Sequence, residues 1–212
     1  MKVILFIALI CISATPKAPT FSEYATGVFL VKNFESMRMF PYKCGANKWT
    51  IGWGKRLNKK EVVSYAFTGI NQEQANEWFI EDFTKAINST KSLYPHLKGQ
   101  RFWACVSLLY NCGANKIKES SLHKMILKSD WKAVAKQVLK WNKAKVKGRY
   151  VVLDGLTKRR KYESRLWLNE FNKTSFDNLQ TRVRQKIIKE KFNPKITKDL
   201  IKLRKNLLSK VN

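Results

Sequence analysis

Apolar residues recur at helical spacing from Tyr24 through Val28 to Val31, with Phe29 and Leu30 on the same broad face, and the run stops at Glu35. Ser22 stands where a cap for this helix is expected. Pro41 and the Gly45-Ala46-Asn47 turn then break any helix, and Trp49, Ile51 and Trp53 alternate with small or polar residues as a strand does. A helix ending near Glu35 therefore runs into a hairpin region, which extends to about Gly69 with Lys55, Arg56, Lys59 and Lys60 beside its aromatic residues. Asn71, with Gln74 three residues on, predicts a capping box, and Trp78, Phe79, Phe83 and Ile87 form the core-facing stripe of the helix that follows. Phe102 to Tyr110 is apolar nearly all round, the pattern of a central buried helix closed by Gly113. Further helices are predicted from Ser120 to Lys128, from an Asp130 cap to about Lys145, and from Thr157 to Glu170. The pattern is α+β and mainly α: a small sheet attached to a helical body with a cleft between them.

The two ends differ from this middle. Residues 1–14 read MKVILFIALICISA, a lysine ahead of an apolar run too short to span a bilayer comfortably but suited to a secretory signal or a retained N-terminal anchor, with a Pro-containing linker to residue 20. Export, to the outside or to a periplasm, is expected either way. Residues 171–212 carry 12 Lys or Arg against 3 Asp or Glu. Phe176, Leu179, Val183 and Ile187 share a helical face there, Asn193-Pro194 interrupts it, and Ile196, Leu200, Leu203 and Leu207 resume it, so two cationic amphipathic helices are expected.

Charge sharpens the picture. Across 212 residues, 42 Lys plus Arg against 15 Asp plus Glu leave a formal charge of +27, a field that attracts polyanions: nucleic acid, anionic membrane surfaces or acidic wall polymers. The cysteines are Cys11, Cys44, Cys105 and Cys112. Cys105 and Cys112, seven apart on one helix, lie roughly 10 Å apart, too far for a disulfide. His96 and His123 are the only histidines, no Cys/His spacing suggests zinc, and neither cofactor nor metal is expected.

Glu35 is the acid on which chemistry would turn. The C-terminal end of a helix carries partial negative charge, which favours the protonated form of a carboxyl placed there, and a general acid must be protonated. A solvated acid at a helix end is the reading that these residues alone leave open.

The spacing of Glu35, Cys44 and Thr50, nine and then six residues apart and running into Thr50-Ile51-Gly52-Trp53-Gly54, resembles the signature of phage-type lysozymes, the muramidases of glycoside hydrolase family 24. That family places Glu, then Asp or sometimes Cys, then Thr at these spacings ahead of a T-I-G-aromatic-G run. Ile70 to Asp82, Ala104 to Gly113, Ser120-Ser121-Leu122 and Gly155 to Glu163 are similar to its later blocks, in the right order, over residues 21–170. The resemblance implies a bilobed lysozyme-like domain at 21–170; the leader at 1–20 and the basic helical tail at 171–212 lie outside it and rest on their own apolar and charge patterns. It implies an enzyme acting on bacterial peptidoglycan, at the β-1,4 bond between N-acetylmuramic acid and N-acetylglucosamine; a monomer is expected, and the charge of the tail suits contact with anionic membrane or lipopolysaccharide. Glu35 would be the proton donor, Cys44 a nucleophile or water activator, Thr50 the group that orients the water, and Arg159 the arginine that pairs with the catalytic glutamate. Cys44 stands where the family usually has Asp, and a free thiol, with a reference pKa near 8.5, is only a few per cent thiolate at neutral pH. A catalytically silent binder of glycan or nucleic acid is therefore the competing expectation. A cysteine peptidase would need a histidine beside Cys44, and neither histidine is near it in sequence. A disulfide between Cys11 and Cys44, occupying the thiol until exchange frees it, is a further expectation.

Overall fold

The computed structural model describes residues 21–209, so the leader, Cys11 and its expected pairing with Cys44 lie outside the described residues. Helix α1 (Phe21–Phe34) carries the expected apolar face, with Ser22 inside it rather than at its cap. A three-stranded antiparallel sheet follows: β1 (Arg38–Lys43), β2 (Trp49–Gly52) and the short β3 (Lys55–Arg56), in that order. The hairpin region ends earlier than its composition suggested. Asn58 and Glu61 form a reciprocal capping box that starts α2 (Lys59–Thr68), and Val62 and Ala66 bury its inner face.

Helix α3 (Gln72–Leu93) begins where expected, the Asn71 side chain accepting from the Gln74 N–H at 2.8 Å. Then come α4 (Gly99–Cys112), α5 (Ala114–Lys118), α6 (Ser121–Leu127) and α7 (Trp131–Val138). The helix expected to reach Lys145 stops at Val138, and the chain forms an exposed hairpin instead, β4 (Lys143–Val146) and β5 (Arg149–Val152). Lys147 and Gly148 both have positive φ, 47° and 86°, and Val146 pairs with Arg149; a two-residue turn of that handedness matches the twist of paired strands. Helix α8 (Asp154–Trp167) closes the matching region, and α9 (Lys173–Phe192) and α10 (Lys198–Leu208) form on either side of Asn193-Pro194.

Helix α4 is the axis of the packing. Every residue from Phe102 to Leu109 is buried, Ser107 included, and α1, α3 and α8 surround it. Helix α1 crosses it so closely that a Cβ on Gly27 would stand 2.2 Å from a Trp103 ring carbon. Phe79, Phe83 and Trp103 continue as a stack of rings, at 5.2 and 6.1 Å between centroids. Helix α3 touches β2 at one side and α4 at the other, linking sheet to helical body.

The basic C-terminal helices lie on the domain. Helix α9 packs along α1 and reaches β1, while α10 meets α2 and β1. Leu179, Val183 and Leu200 are buried, which accounts for the apolar face of each helix. Arg204 donates to the Ala66 carbonyl at 2.6 Å with its guanidinium over the Phe40 ring.

Candidate active site

The site begins where α1 stops. The Glu35 N–H closes the last turn on the Val31 carbonyl at 3.3 Å, and the side chain beyond it is 17% exposed. Arg159, on α8 and 124 residues away, puts Nη1 2.6 Å from Glu35 Oε1. Gly54, just past β2, approaches the other oxygen: a Cβ there would lie 2.8 Å from Glu35 Oε2, and φ of +97° makes the position strained for any side chain. One oxygen is thus held by a cation and the other faces a backbone with no side chain in the way.

Arg159 is itself built in from several directions. Its Nη2 donates to the Ser107 carbonyl at 2.9 Å, and Nε lies 3.2 Å from Glu163 Oε1, which also accepts from the Ser107 hydroxyl at 2.6 Å. Glu163 is fully buried. Arg160 Nε is 3.1 Å from Glu163 Oε2, close enough for charge pairing, but its N–H is not aimed along that line, so the contact is electrostatic rather than a formed hydrogen bond. Burial by itself would lower the Arg159 pKa, but Glu35 and Glu163 outweigh it and the net shift is upward, so the guanidinium is a permanent charge.

The other two expected residues sit on the β1–β2 turn. Cys44 is a half-buried free thiol immediately after β1. Its N–H donates to the Lys48 carbonyl at 2.9 Å and its carbonyl accepts from the Asn47 N–H at 2.8 Å. Thr50 is buried on β2, and its hydroxyl donates to the Lys48 carbonyl at 3.0 Å. That hydroxyl proton is therefore engaged in the turn, and only its lone pairs are left to accept from a water or sugar hydroxyl.

Tyr42 joins these groups. It pairs with Thr50 across the strands. Burial pushes its phenol pKa up, and the Glu35 charge pushes it the same way. Tyr110, from α4, donates to the Trp53 carbonyl at 3.0 Å; its pKa is raised by burial and then by Glu35. A groove of about 410 Å3 opens beside Gly54 and Tyr110, lined also by Lys55, Arg56, Asp82 and Lys85. Trp53 is fixed behind it: Nε1 donates to Asn76 Oδ1 at 3.0 Å, and the same oxygen accepts from buried Lys32 at 2.8 Å.

Of the four residues read from the sequence, Glu35 and Arg159 are in direct contact, and Cys44 and Thr50 sit together on the β1–β2 turn, where Tyr42 pairs with Thr50. Tyr42, Tyr110, Ser107, Glu163 and Lys186 were not anticipated. The four-residue helical interval from Arg159 to Glu163 signalled that pair, whereas nothing local marks Lys186, whose Nζ donates to the Glu35 carbonyl at 3.0 Å. The lining of the groove includes Gly54 but not Glu35, Cys44 or Thr50, and the set offers a carboxyl, a thiol and an acceptor hydroxyl. Among the described residues no cluster of His, Cys, Asp and Glu could hold a metal ion.

Comparison with known proteins shows the family and the fold. A family model described as phage lysozyme matches residues 32–163. An endolysin of Acyrthosiphon pisum secondary endosymbiont phage 1 is 34% identical over 145 residues, 66% of this chain and 94% of that protein. An endolysin of Bacillus phage B103 is 30% identical over 148 residues, 67% of this chain and 52% of the relative. Among solved structures, the endolysin from Escherichia coli O157:H7 phage FAHEc1 superposes with a TM-score of 0.57 at 26% identity, covering 68% of this chain and 91% of that one. The muramidase domain of SpmX from Asticaccaulis excentricus gives 0.54 at 24% identity over 67% and 94%, a likeness of fold.

Proposed function

Since this chain belongs to the phage lysozyme family and is a peptidoglycan hydrolase of that family, we propose that it cuts the β-1,4 bond between N-acetylmuramic acid and N-acetylglucosamine, with Glu35 as proton donor. The observation that carries this reading is the asymmetric seat of the Glu35 carboxyl, with Oε1 on Arg159 and Oε2 against Gly54, which itself lines the groove.

Glu35 gives its proton to the bridging oxygen as the bond to the anomeric carbon breaks, and an oxocarbenium-like centre develops. On the opposite face, Cys44 as thiolate either attacks that carbon, the resulting carbon–sulfur bond then being hydrolysed by water, or takes one proton from a water that attacks the carbon while the Thr50 oxygen accepts a hydrogen bond from that water's other hydrogen. The Arg159 charge keeps Oε1 in place and leaves Oε2 to face the sugar, a positioning effect of the kind that governs rate when reacting atoms must meet at contact distance.

Residues 1–14 support export, to the outside or to a periplasm, and action as a monomer is the simplest use of a single cleft. The outward face of the C-terminal helices, with Ile188 56% and Phe192 78% exposed on either side of Lys189 and Lys191, supports contact with anionic membrane or lipopolysaccharide.

Reducing-end release from purified peptidoglycan tests the central reading. Wild type should release ends, and Glu35→Gln should lose activity by roughly a thousandfold or more. Equal release by both would remove Glu35 from the mechanism. Salt-sensitive binding to wall or nucleic acid with no release by wild type would favour the silent binder that the missing Asp suggested.

A further inference from the structure

We propose that Lys186 is a positioning residue for Glu35, which makes the C-terminal helix α9 a working part of the active site even though it lies beyond the 32–163 region that the family model matches. The proposal rests on Glu35 as proton donor.

The last carbonyls of a helix have no partner within it, and those of α1 hold up the residue that carries the chemistry. Lys186 supplies partners. Its Nζ donates to the Asn33 carbonyl, to the Glu35 carbonyl at 3.0 Å and, more weakly, to the Lys32 carbonyl at 3.4 Å. An ammonium has three protons, and here it has three acceptors. It also places positive charge at the negative end of α1, where a cation is favourable.

The neighbours of Lys186 at helical spacing extend the grip. One turn earlier, Arg182 Nη1 lies 2.9 Å from the Tyr162 hydroxyl, and the Tyr162 ring meets Phe34 edge-on at 5.3 Å. One turn later, buried Glu190 accepts from the Met39 N–H at 2.9 Å and from Arg38 Nη1 at 3.3 Å. Arg182, Lys186 and Glu190 therefore hold, in sequence along one face of α9, the α8 contact of Phe34, the end of α1 and the start of β1. Glu35 lies in the short connection between the last two, clamped on both sides. Buried Leu179 and Val183 seat the helix that does this.

Titration gives the proposal a signature. The Lys186 pKa is lowered to about 8, chiefly by burial; of the charges facing it, Glu35 opposes the shift, and Arg38, Arg159 and Arg182 add to it. The charge that holds the α1 end is therefore lost as pH rises through about 8.

The test uses the full chain, with kcat and KM for reducing-end release from solubilised peptidoglycan followed from about pH 6 to about pH 10, and a thermal melt for each variant. Lys186→Met should lower kcat roughly tenfold or more at neutral pH, with KM within about twofold of wild type, and should lack the fall in kcat that wild type shows near pH 8. Lys186→Arg, whose charge does not titrate, should recover most of the neutral-pH kcat and also lack that fall. Arg184→Met, exposed on the same helix, should match wild type. A folded Lys186→Met variant with wild-type kcat, or one that keeps the fall near pH 8, overturns the proposal. If Lys186→Met does not fold, Lys186→Arg decides, and persistence of the fall near pH 8 overturns it. Wild type and Glu35→Gln equally inactive would overturn the assignment of Glu35, and this proposal with it; an active wild type indifferent to Lys186 overturns this one alone.

Discussion

Replacing Arg159 with Met should separate what its buried network contributes from what exposed ion pairs contribute. Arg159 is 1% exposed and Glu163 not at all, so removing the guanidinium leaves a carboxylate in the interior and strips the Ser107 carbonyl of its 2.9 Å donor. Breaking a buried pair from one side costs about 3–5 kcal/mol. Glu163 keeps the Ser107 hydroxyl at 2.6 Å and the Arg160 charge at 3.1 Å, which puts Arg159→Met at the low end, about 3 kcal/mol. For a chain of this size that is a fall in Tm of roughly 6–12 °C. Lys85 and Glu81 provide the contrast: they are also 2.6 Å apart, but 63% and 55% exposed, and Lys85→Met should leave stability close to that of wild type. Urea unfolding of both variants, and of Arg159→Met combined with Glu163→Gln, reads the difference. The double variant should be more stable than additivity predicts by at least about 1 kcal/mol, because the second change removes the charge that the first left bare. Strict additivity, or an Arg159→Met cost below about 1 kcal/mol, would refute the reasoning.

Three further outcomes follow from the same geometry. Gly54→Ala places a methyl group 2.8 Å from Glu35 Oε2 at φ +97°, so it should cost about 1–2 kcal/mol in urea unfolding and lower kcat at least about tenfold; wild-type turnover would show that the close approach does not matter. Lys32 is 9% exposed, and burial lowers its pKa from 10.5 to about 8, so the folded protein binds fewer protons than the unfolded chain between those values and stability must rise with pH across that window. The Lys32→Met variant should lack this part of the slope when unfolding free energy is followed against pH, and an unchanged slope would count against the assignment. Iodoacetamide should alkylate half-buried Cys44 well before Cys105 or Cys112, whose thiols burial pushes up, with loss of activity in step; peptide mass mapping that finds Cys105 modified first would contradict this.

The sequence carried the parts of this molecule that are local. The apolar run at 102–110 has one physical solution, a helix buried on all sides, and α4 is that helix. The spacing of Glu35, Cys44 and Thr50 was legible because it is set by a helix end and a tight turn, both short-range structures. What escaped was of two kinds. Helix α2 falls inside the expected hairpin region and β4 overlaps the end of the helix expected to reach Lys145, because the Asn58 and Glu61 box and the Lys147-Gly148 turn are short signals set in lysine-rich stretches. Lys186 and Glu190 were invisible for a different reason. Their partners are main-chain groups about 150 residues away, and a carbonyl or an N–H leaves no trace in side-chain spacing.

The position of cysteine in the site is also explained by main chain. The turn at 44–48 is held by the Cys44 N–H on Lys48, the Asn47 N–H on Cys44, the left-handed Asn47 at φ 58° and the Thr50 hydroxyl on Lys48; none of these uses Sγ. The fold is therefore indifferent to whether a thiol, a hydroxyl or a carboxylate stands at 44, and an exchange there changes chemistry while leaving the scaffold in place. The groups differ in a way that discriminates the two roles open to Cys44. A thiolate is one large, strongly nucleophilic atom, whereas a carboxylate offers two oxygens that accept hydrogen bonds. If Cys44 works by drawing a proton from water, Cys44→Asp should equal or exceed wild type, because a carboxylate is ionised where most of a thiol is not. If it attacks the sugar directly, wild type should form a glycosyl adduct on Cys44 detectable by mass in rapid-quench samples, and Cys44→Ser should lose both adduct and turnover, since a hydroxyl with no base beside it is a far weaker nucleophile.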